Sequence, residues 1–283
     1  MMNIDNLGTT TPEEIDAEIL RVMANRGAMY DVTSELIMLD NRPDFFKLHR
    51  RGSRAVGRPN GEPLKGATLL DSLGHLYVYI HMGWEVGILN TLTSVRRQNV
   101  TKAQLMEVFM AGQLTGGPRG AECIYRSVWM VLKDYQDALE PPIFPDGWAP
   151  DPAAFQCGLD LSTEDLTDAD YRALTGWYER NLGYLPKSVE FSAKQQPYFL
   201  KAWRAKFEGA FSTGALPKQL WPYFQIRYCT VSGFRDGLRE AAQLGKAWGM
   251  SREYIIHGVT SAAYYQNGMA VMHQAQDALA DIL

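Results

Sequence analysis

Two stretches decide the fold: "GWEVGILNTLTSVRRQNVTKAQLM", Gly83–Met106, and "GFRDGLREAAQLGKAWGMSREYII", Gly233–Ile256. Shifted on itself by 150 positions, the chain lays one on the other without a gap. Gly83 meets Gly233, Trp84 meets Phe234, Gly87 meets Gly237 and Ile88 meets Leu238. Further on, Val100 meets Met250 and Leu105 meets Ile255. Asn99 and Gly249 tolerate the left-handed conformation that ends a helix, and the hydroxyls of Thr101 and Ser251 stand where they cap the next one. The joint is matched in its physics as well as its letters, which is the signature of an internal repeat.

Outward from this joint the pattern is helical. "TTPEEIDAEILRVMANRG" offers Thr11 as N-cap, Pro12 at the first helical position and apolar residues at helical spacing up to a stop at Gly27. "SELIMLDNRPDFFKLHRRG" reads as helix, proline break, helix, and Pro43 faces Pro197 in the second half. No alternating strand pattern of useful length occurs. "EPPIFPDGWAPDPAAFQCG", Glu140–Gly158, is rich in proline and turn residues and reads as a linker or long surface loop. The expected organisation is all-α: a first repeat with an N-terminal extension over 1–139, a proline-rich linker over 140–175 and a second repeat over 176–283.

Composition excludes several classes. The 283 residues carry a net charge of −4, without the basic excess of a nucleic-acid binder. No apolar run reaches the roughly 18 residues that span a bilayer, and the polar N-terminus has no signal-peptide order. Cys123, Cys157 and Cys229 are scattered and form no C-x-x-C, which suits a reducing cytoplasm. His75 and His81 point to different helix faces and make no metal pair, so no metal or cofactor is expected.

The stretch "NLGYLPKSVEFSAKQQPYFLKAWRAKFEGAFSTGALPKQLWPYFQIRYCTVSGFRDGLREA", the joint "GKAWGMSREYI" and the turn in "AGQLTGGPRGAECIYRSVWMVLKD" together resemble the carboxymuconolactone decarboxylase and alkylhydroperoxidase D superfamily. The resemblance covers most of 27–135 and 181–283. It implies two tandem alkylhydroperoxidase D-like helical units, a pseudo-dimer within one chain, and further assembly into a homo-oligomer, dimer or trimer. It also implies that the helix at each joint lines a site. The hydroperoxidase branch carries C-x-x-C and a later His there. The matching positions here are Trp84, Gly87 and Thr91, and Phe234, Gly237 and Ala241, so a thiol relay is excluded. Glu85 stands at a family acidic position.

If the first joint is a continuous helix, Tyr77, His81 and Glu85 recur at i, i+4 and i+8 and share one face. Glu85 would orient His81, His81 would move a proton, and Tyr77 would donate to an oxyanion. The same spacing also fits a core histidine paired with Glu85. In the second copy Arg227, Arg235 and Arg239 take the matching stripe, as carboxylate holders or as partners of nearby acids. Trp84, Phe234, Tyr264 and Tyr265 could wall an aromatic pocket or simply pack, and the basic run "KLHRRGSR", Lys47–Arg54, could collect an anion or stay solvated. The expectation is a cofactor-independent lyase, decarboxylase or isomerase acting on a small carboxylated compound, aromatic-derived or lactone-like. The alternative is a binding or scaffold protein with a degenerate site; thiol-dependent hydroperoxide reduction ranks behind both.

Overall fold

The computed structural model describes residues 2–26 and 33–283. Among these it contains thirteen α-helices and no β-strand, so the chain is all-α. The first half holds α1 (Pro12–Arg26), α2 (Thr33–Asn41), α3 (Pro43–Val56), α4 (Ala67–Met82), α5 (Glu85–Arg97) and α6 (Lys102–Lys133). The second holds α7 (Asp168–Leu182), α8 (Lys187–Gln195), α9 (Pro197–Ala210), α10 (Leu220–Ser232), α11 (Arg235–Ala247), α12 (Arg252–Ala262) and α13 (Met272–Leu279).

The local chemistry explains most of the boundaries. Thr11 caps α1: its Oγ1 accepts the Glu14 backbone N–H at 3.3 Å, and Glu14 Oε2 accepts that of Thr11 at 3.0 Å. Thr101 and Gln104 make the same reciprocal pair at 3.2 and 2.9 Å to open α6. Ser251 holds the N-cap position of α12, but its hydroxyl donates to Glu253 Oε2 at 2.7 Å instead of capping the backbone. The expected stop of α1 at Gly27 lies outside the described residues.

Backbone breaks recur in the two halves at matching places. Arg42 and Gln196, each before a helix-opening proline, have φ/ψ of −145/65 and −147/63. Asn99 and Gly249 are left-handed at φ 60 and 84, as the joint requires. Gly117 interrupts α6 with φ 54 and ψ −147, and Gly268 separates α12 from α13 with φ 66 and ψ −162. That corner of conformational space is essentially closed to residues with a Cβ, so glycine is required at both places.

One apolar core runs through both halves, with α4 packed against α10 at its centre. The outer helices cross over: α3 lies against α12 and α9 against α6. The segment expected as a linker is built into this core. Trp148 and Phe155 are buried, Trp177 Nε1 donates to the Ala154 carbonyl at 2.8 Å, and α7 opens at Asp168, inside the expected 140–175 span. Two aromatic side chains in the span had a core to fill, which its prolines concealed.

Candidate functional site

The continuous helix expected at each joint is broken. Gly83 turns left-handed at φ 65, its N–H returns to the carbonyls of Ile80 and Tyr79, and α4 ends at Met82. Trp84 is extended and α5 begins at Glu85. The face shared by Tyr77, His81 and Glu85 therefore does not exist. Gly233, at φ 68, separates Arg227 from Arg235 and Arg239 in the same way. A glycine can end a helix in the left-handed region without the steric cost that other residues meet.

The expected residues are accordingly dispersed. Tyr77 is fully buried, stacked on Phe224 at 4.9 Å, with its hydroxyl 2.8 Å from Thr115 Oγ1 and accepting from Gln225 Nε2 at 2.5 Å. Burial pushes its phenol above the ordinary range. His81 is half-buried with its ring edge-on to Tyr228 at 4.3 Å, and burial lowers its pKa. It lines none of the cavities described below. Glu85 is half-buried at the start of α5, and Arg235 is exposed at the start of α11. Arg239 grips Asp281 with two bonds of 2.5 Å and thereby ties down the C-terminus.

Arg227 is fully buried and crosses from α10 to α4. Its Nη1 lies 3.0 Å from Asp71 Oδ1 and also reaches Ser261 Oγ, while Nε and Nη2 have no hydrogen-bond partner among the described residues. Gly74 makes this passage possible: a Cβ there would stand 2.3 Å from Arg227 Cδ. The same Asp71 oxygen lies 3.5 Å from His257 Nε2, and His257 Nδ1 is 3.0 Å from the Tyr223 hydroxyl. Burial raises the Asp71 pKa, but the interactions with His257 and Arg227 outweigh it and hold the carboxyl well below the usual carboxylate range.

Next to this buried network lies a cavity of about 560 Å³. Trp84, Gly87 and Thr91, the three positions that match the redox motif of the resembled superfamily, are in its wall. So are His49, Arg50 and Ser53 from the basic run, Arg21, Arg97, His75 and Tyr265. A neighbouring cavity of about 520 Å³ shares Arg21, Arg50, Ser53, Ser72 and Tyr265 with it and reaches Asp71. The hydroxyls of Ser53 and Tyr265 are hydrogen-bonded to each other, so whichever donates, the other keeps its hydrogen for a ligand. Tyr264 closes the corner by donating to the His49 carbonyl at 2.6 Å, in space that Gly52 leaves open.

His75 is the group in this wall best placed for proton chemistry. Among the described residues its buried Nε2 has no hydrogen-bond partner, and the ring packs edge-on to Tyr265 at 4.8 Å. Burial, reinforced by the Arg227 charge, pushes its pKa down to about 3, so the imidazole is neutral at physiological pH. His49 is also lowered by burial, with the Arg50 charge adding to the effect. Sequence reasoning weighed His75 only as a metal partner of His81; the basic run and Tyr265 were the signals that pointed here.

The second half has a matching cavity of about 190 Å³. At the joint offset of 150, Gln225, Cys229, Phe234, Gly237, Glu240 and Ala241 take the places of His75, Tyr79, Trp84, Gly87, Asn90 and Thr91. Trp203, Arg204 and Phe207 take those of His49, Arg50 and Ser53. The two halves also exchange walls: Tyr265 reaches the first cavity, while Leu114 and Thr115 reach the second.

Thiol chemistry has no support in either cavity. Burial pushes Cys157 and Cys229 up to about 12 and raises Cys123 as well. Among the described residues no group of three or more His, Cys, Asp or Glu side chains could hold a metal ion, and no helix is long and apolar enough to cross a membrane. Comparison with protein-family models, with curated proteins and with solved structures gives no match to this chain.

Proposed function

We propose that the chain is two diverged copies of a carboxymuconolactone decarboxylase-like unit, and that the polar cavity of the first copy is a cofactor-independent acid–base site. Its substrate is a small carboxylated compound, aromatic-derived or lactone-like, and the reaction is an isomerisation or lyase step. The protein works in the cytoplasm as a homo-oligomer, dimer or trimer. The matched backbone breaks at Gly83 and Gly233 and at Gly117 and Gly268 support the duplication.

The observation that carries the reading is the buried Nε2 of His75, without a hydrogen-bond partner among the described residues, in a cavity that also holds Arg97 and the Arg50–Glu35 ion pair. A carboxylate bound at Arg97 raises the basicity of His75, because an anion stabilises imidazolium. Nε2 then takes a proton from a carbon next to the substrate carbonyl. The C–H electron pair moves to the carbonyl oxygen as an enolate, which the spare hydroxyl hydrogen of Ser53 or Tyr265 stabilises. In a substrate whose carbon–carbon double bond is conjugated with that enolate, the electron pair extends to the far carbon, and return of the proton there shifts the double bond and gives the isomer. This moves the catalytic role from His81 to His75 and leaves Trp84 as a wall of the site.

The test is to incubate the protein in D₂O with a panel of small lactones and aromatic-derived carboxylates and to follow deuterium incorporation and carbon dioxide release by NMR. His75→Gln, which installs the residue of the matching position, should reduce turnover by about 100-fold or more, while His81→Ala should leave it within about twofold. Equal loss in both variants, or turnover that survives His75→Gln, would sink the assignment. The low pKa of His75 also favours a second reading, a non-catalytic binding protein. Saturable binding without exchange or turnover would select it.

A further inference from the structure

The second cavity differs from the first in the sign of its charge as well as its polarity. Two matched positions have moved the same way: Arg97 gives way to Ala247 and Asn90 to Glu240, and Glu240 lines the second cavity. Arg204, in place of Arg50, is paired as Arg50 is with Glu35: its Nε lies 2.9 Å from Glu208 Oε1 and its Nη2 donates to the Phe155 carbonyl, so neither arginine adds a free charge and Arg97 has no counterpart in the second cavity. Its guanidinium is further covered by the Trp177 ring at 4.1 Å. Glu240 has no such neutraliser. Among the described residues it makes no hydrogen bond and no ion pair, and its closest charged influence is Asp236, which is of like sign.

Glu240 stands at a junction. It lines both the 190 Å³ cavity and an adjoining one of about 240 Å³, and Tyr178 and Trp203 are shared by the two. Phe234, which is exposed, and Tyr228 add two more aromatic side chains to the wall of the first of these. A half-buried carboxylate without a donor, in a wall rich in aromatic rings, favours a cation with an apolar body. The carboxylate supplies the charge-assisted bond and the rings supply cation–π attraction and shape. An anion would meet Glu240 and Asp236 with only the neutralised Arg204 to offset them.

We propose that the aromatic cavity of the second half is a separate binding site for a small organic ammonium ion carrying an aromatic or similarly flat apolar group, with Glu240 as its counter-ion. This does not depend on the acid–base reading of the first cavity, which uses none of these residues. Burial raises the Glu240 pKa, and a bound cation would bring it back down.

The experiment is calorimetric titration of the full-length protein with benzylamine, with benzoate as the anionic control and benzyl alcohol as the neutral one. Benzylamine should bind one to a chain and at least about tenfold more tightly than either control. Glu240→Gln should remove that preference while leaving the alcohol unchanged. Quenching of tryptophan fluorescence should report the same midpoint, and a far-UV spectrum and melt like the wild type's would show that the variant is folded. Benzoate binding best, benzylamine binding no better than benzyl alcohol, or benzylamine binding that survives Glu240→Gln would each overturn the proposal. His75→Gln should not change benzylamine affinity, which separates this site from the first.

Discussion

His75 and Gln225 occupy matching turns of α4 and α10, yet one faces a polar cavity and the other an aromatic one. The contrast extends to the contacts that join the halves. Tyr77 and Arg227 are matched positions, and each reaches into the opposite half. Tyr77 meets Trp221 edge-on at 6.4 Å and stacks on Phe224. Arg227 meets Asp71 at 3.0 Å and passes over Gly74. Trp221 and Asp71 are matched positions too, as are Phe224 and Gly74. One crossing is wholly aromatic and the other is ionic, and each needs all three of its residues: a guanidinium there requires both an acid opposite and a missing side chain beside it. Divergence has therefore proceeded by sets of facing residues while the backbone breaks stayed in register.

The sharpest way to break this comparison is to damage each crossing in turn. Arg227→Met removes the one permanent cation beside the Asp71 carboxylate, leaving it His257 and Ser261, and should cost about 3 kcal/mol in urea denaturation. Tyr77→Phe keeps the ring packing and loses only the bonds with Thr115 and Gln225, so about 1 kcal/mol is expected. Equal costs would mean that the ionic crossing contributes no more than an ordinary hydrogen-bonded tyrosine. Since part of the cost of Arg227→Met comes from a carboxylate left without its guanidinium, adding Asp71→Leu should restore part of it.

A smaller effect distinguishes the cavities by pH. His75 is held to about 3 in the folded chain against about 6.5 when unfolded. The unfolded state thus binds the proton more readily as pH falls below about 6.5. Stability tied to His75 is fully present above that pH and is lost progressively on acidification towards pH 3. Between pH 7 and pH 5 the wild type should lose about 2 kcal/mol more than His75→Gln, because the glutamine cannot be protonated. The second half already has Gln225 at this place and should contribute no such slope. Denaturant midpoints of the two proteins at both pH values measure it; parallel lines would show that His75 titrates normally.

The helices and their joints were legible because they rest on local chemistry: Thr11, Thr101, Pro43, Pro197 and the left-handed Asn99 and Gly249 announce themselves within a few residues. The breaks at Gly83 and Gly233 were present in the letters, but each sits inside an apolar run whose period continues across it, so a single helix could be read through. The site was less legible because its members come from distant places. His75 matters through Arg227 and Tyr265, which lie far along the chain and are brought to it only by packing of α4 on α10 and α12. The basic run reads equally as an anion collector or a solvated face, and His49, Arg50 and Ser53 line the cavity. Its periodicity could not show which side α12 would cover.

Arg239 gives the smallest effect and a clean test of what the arginine stripe does. The guanidinium is about one-third exposed and holds Asp281, which is more exposed still. Surface pairs of this kind contribute little after solvent screening and side-chain ordering are counted, even with two bonds. Arg239→Gln should therefore leave the denaturation midpoint nearly where it is and leave ligand binding in both cavities unchanged. Its visible consequence should be faster amide exchange over the last residues, because Arg239 also reaches the Ala278 carbonyl at 3.3 Å. Loss of substrate or benzylamine affinity in this variant would return Arg239 to a binding role and undo the separation between the cavity-lining residues and those that only fasten the C-terminus.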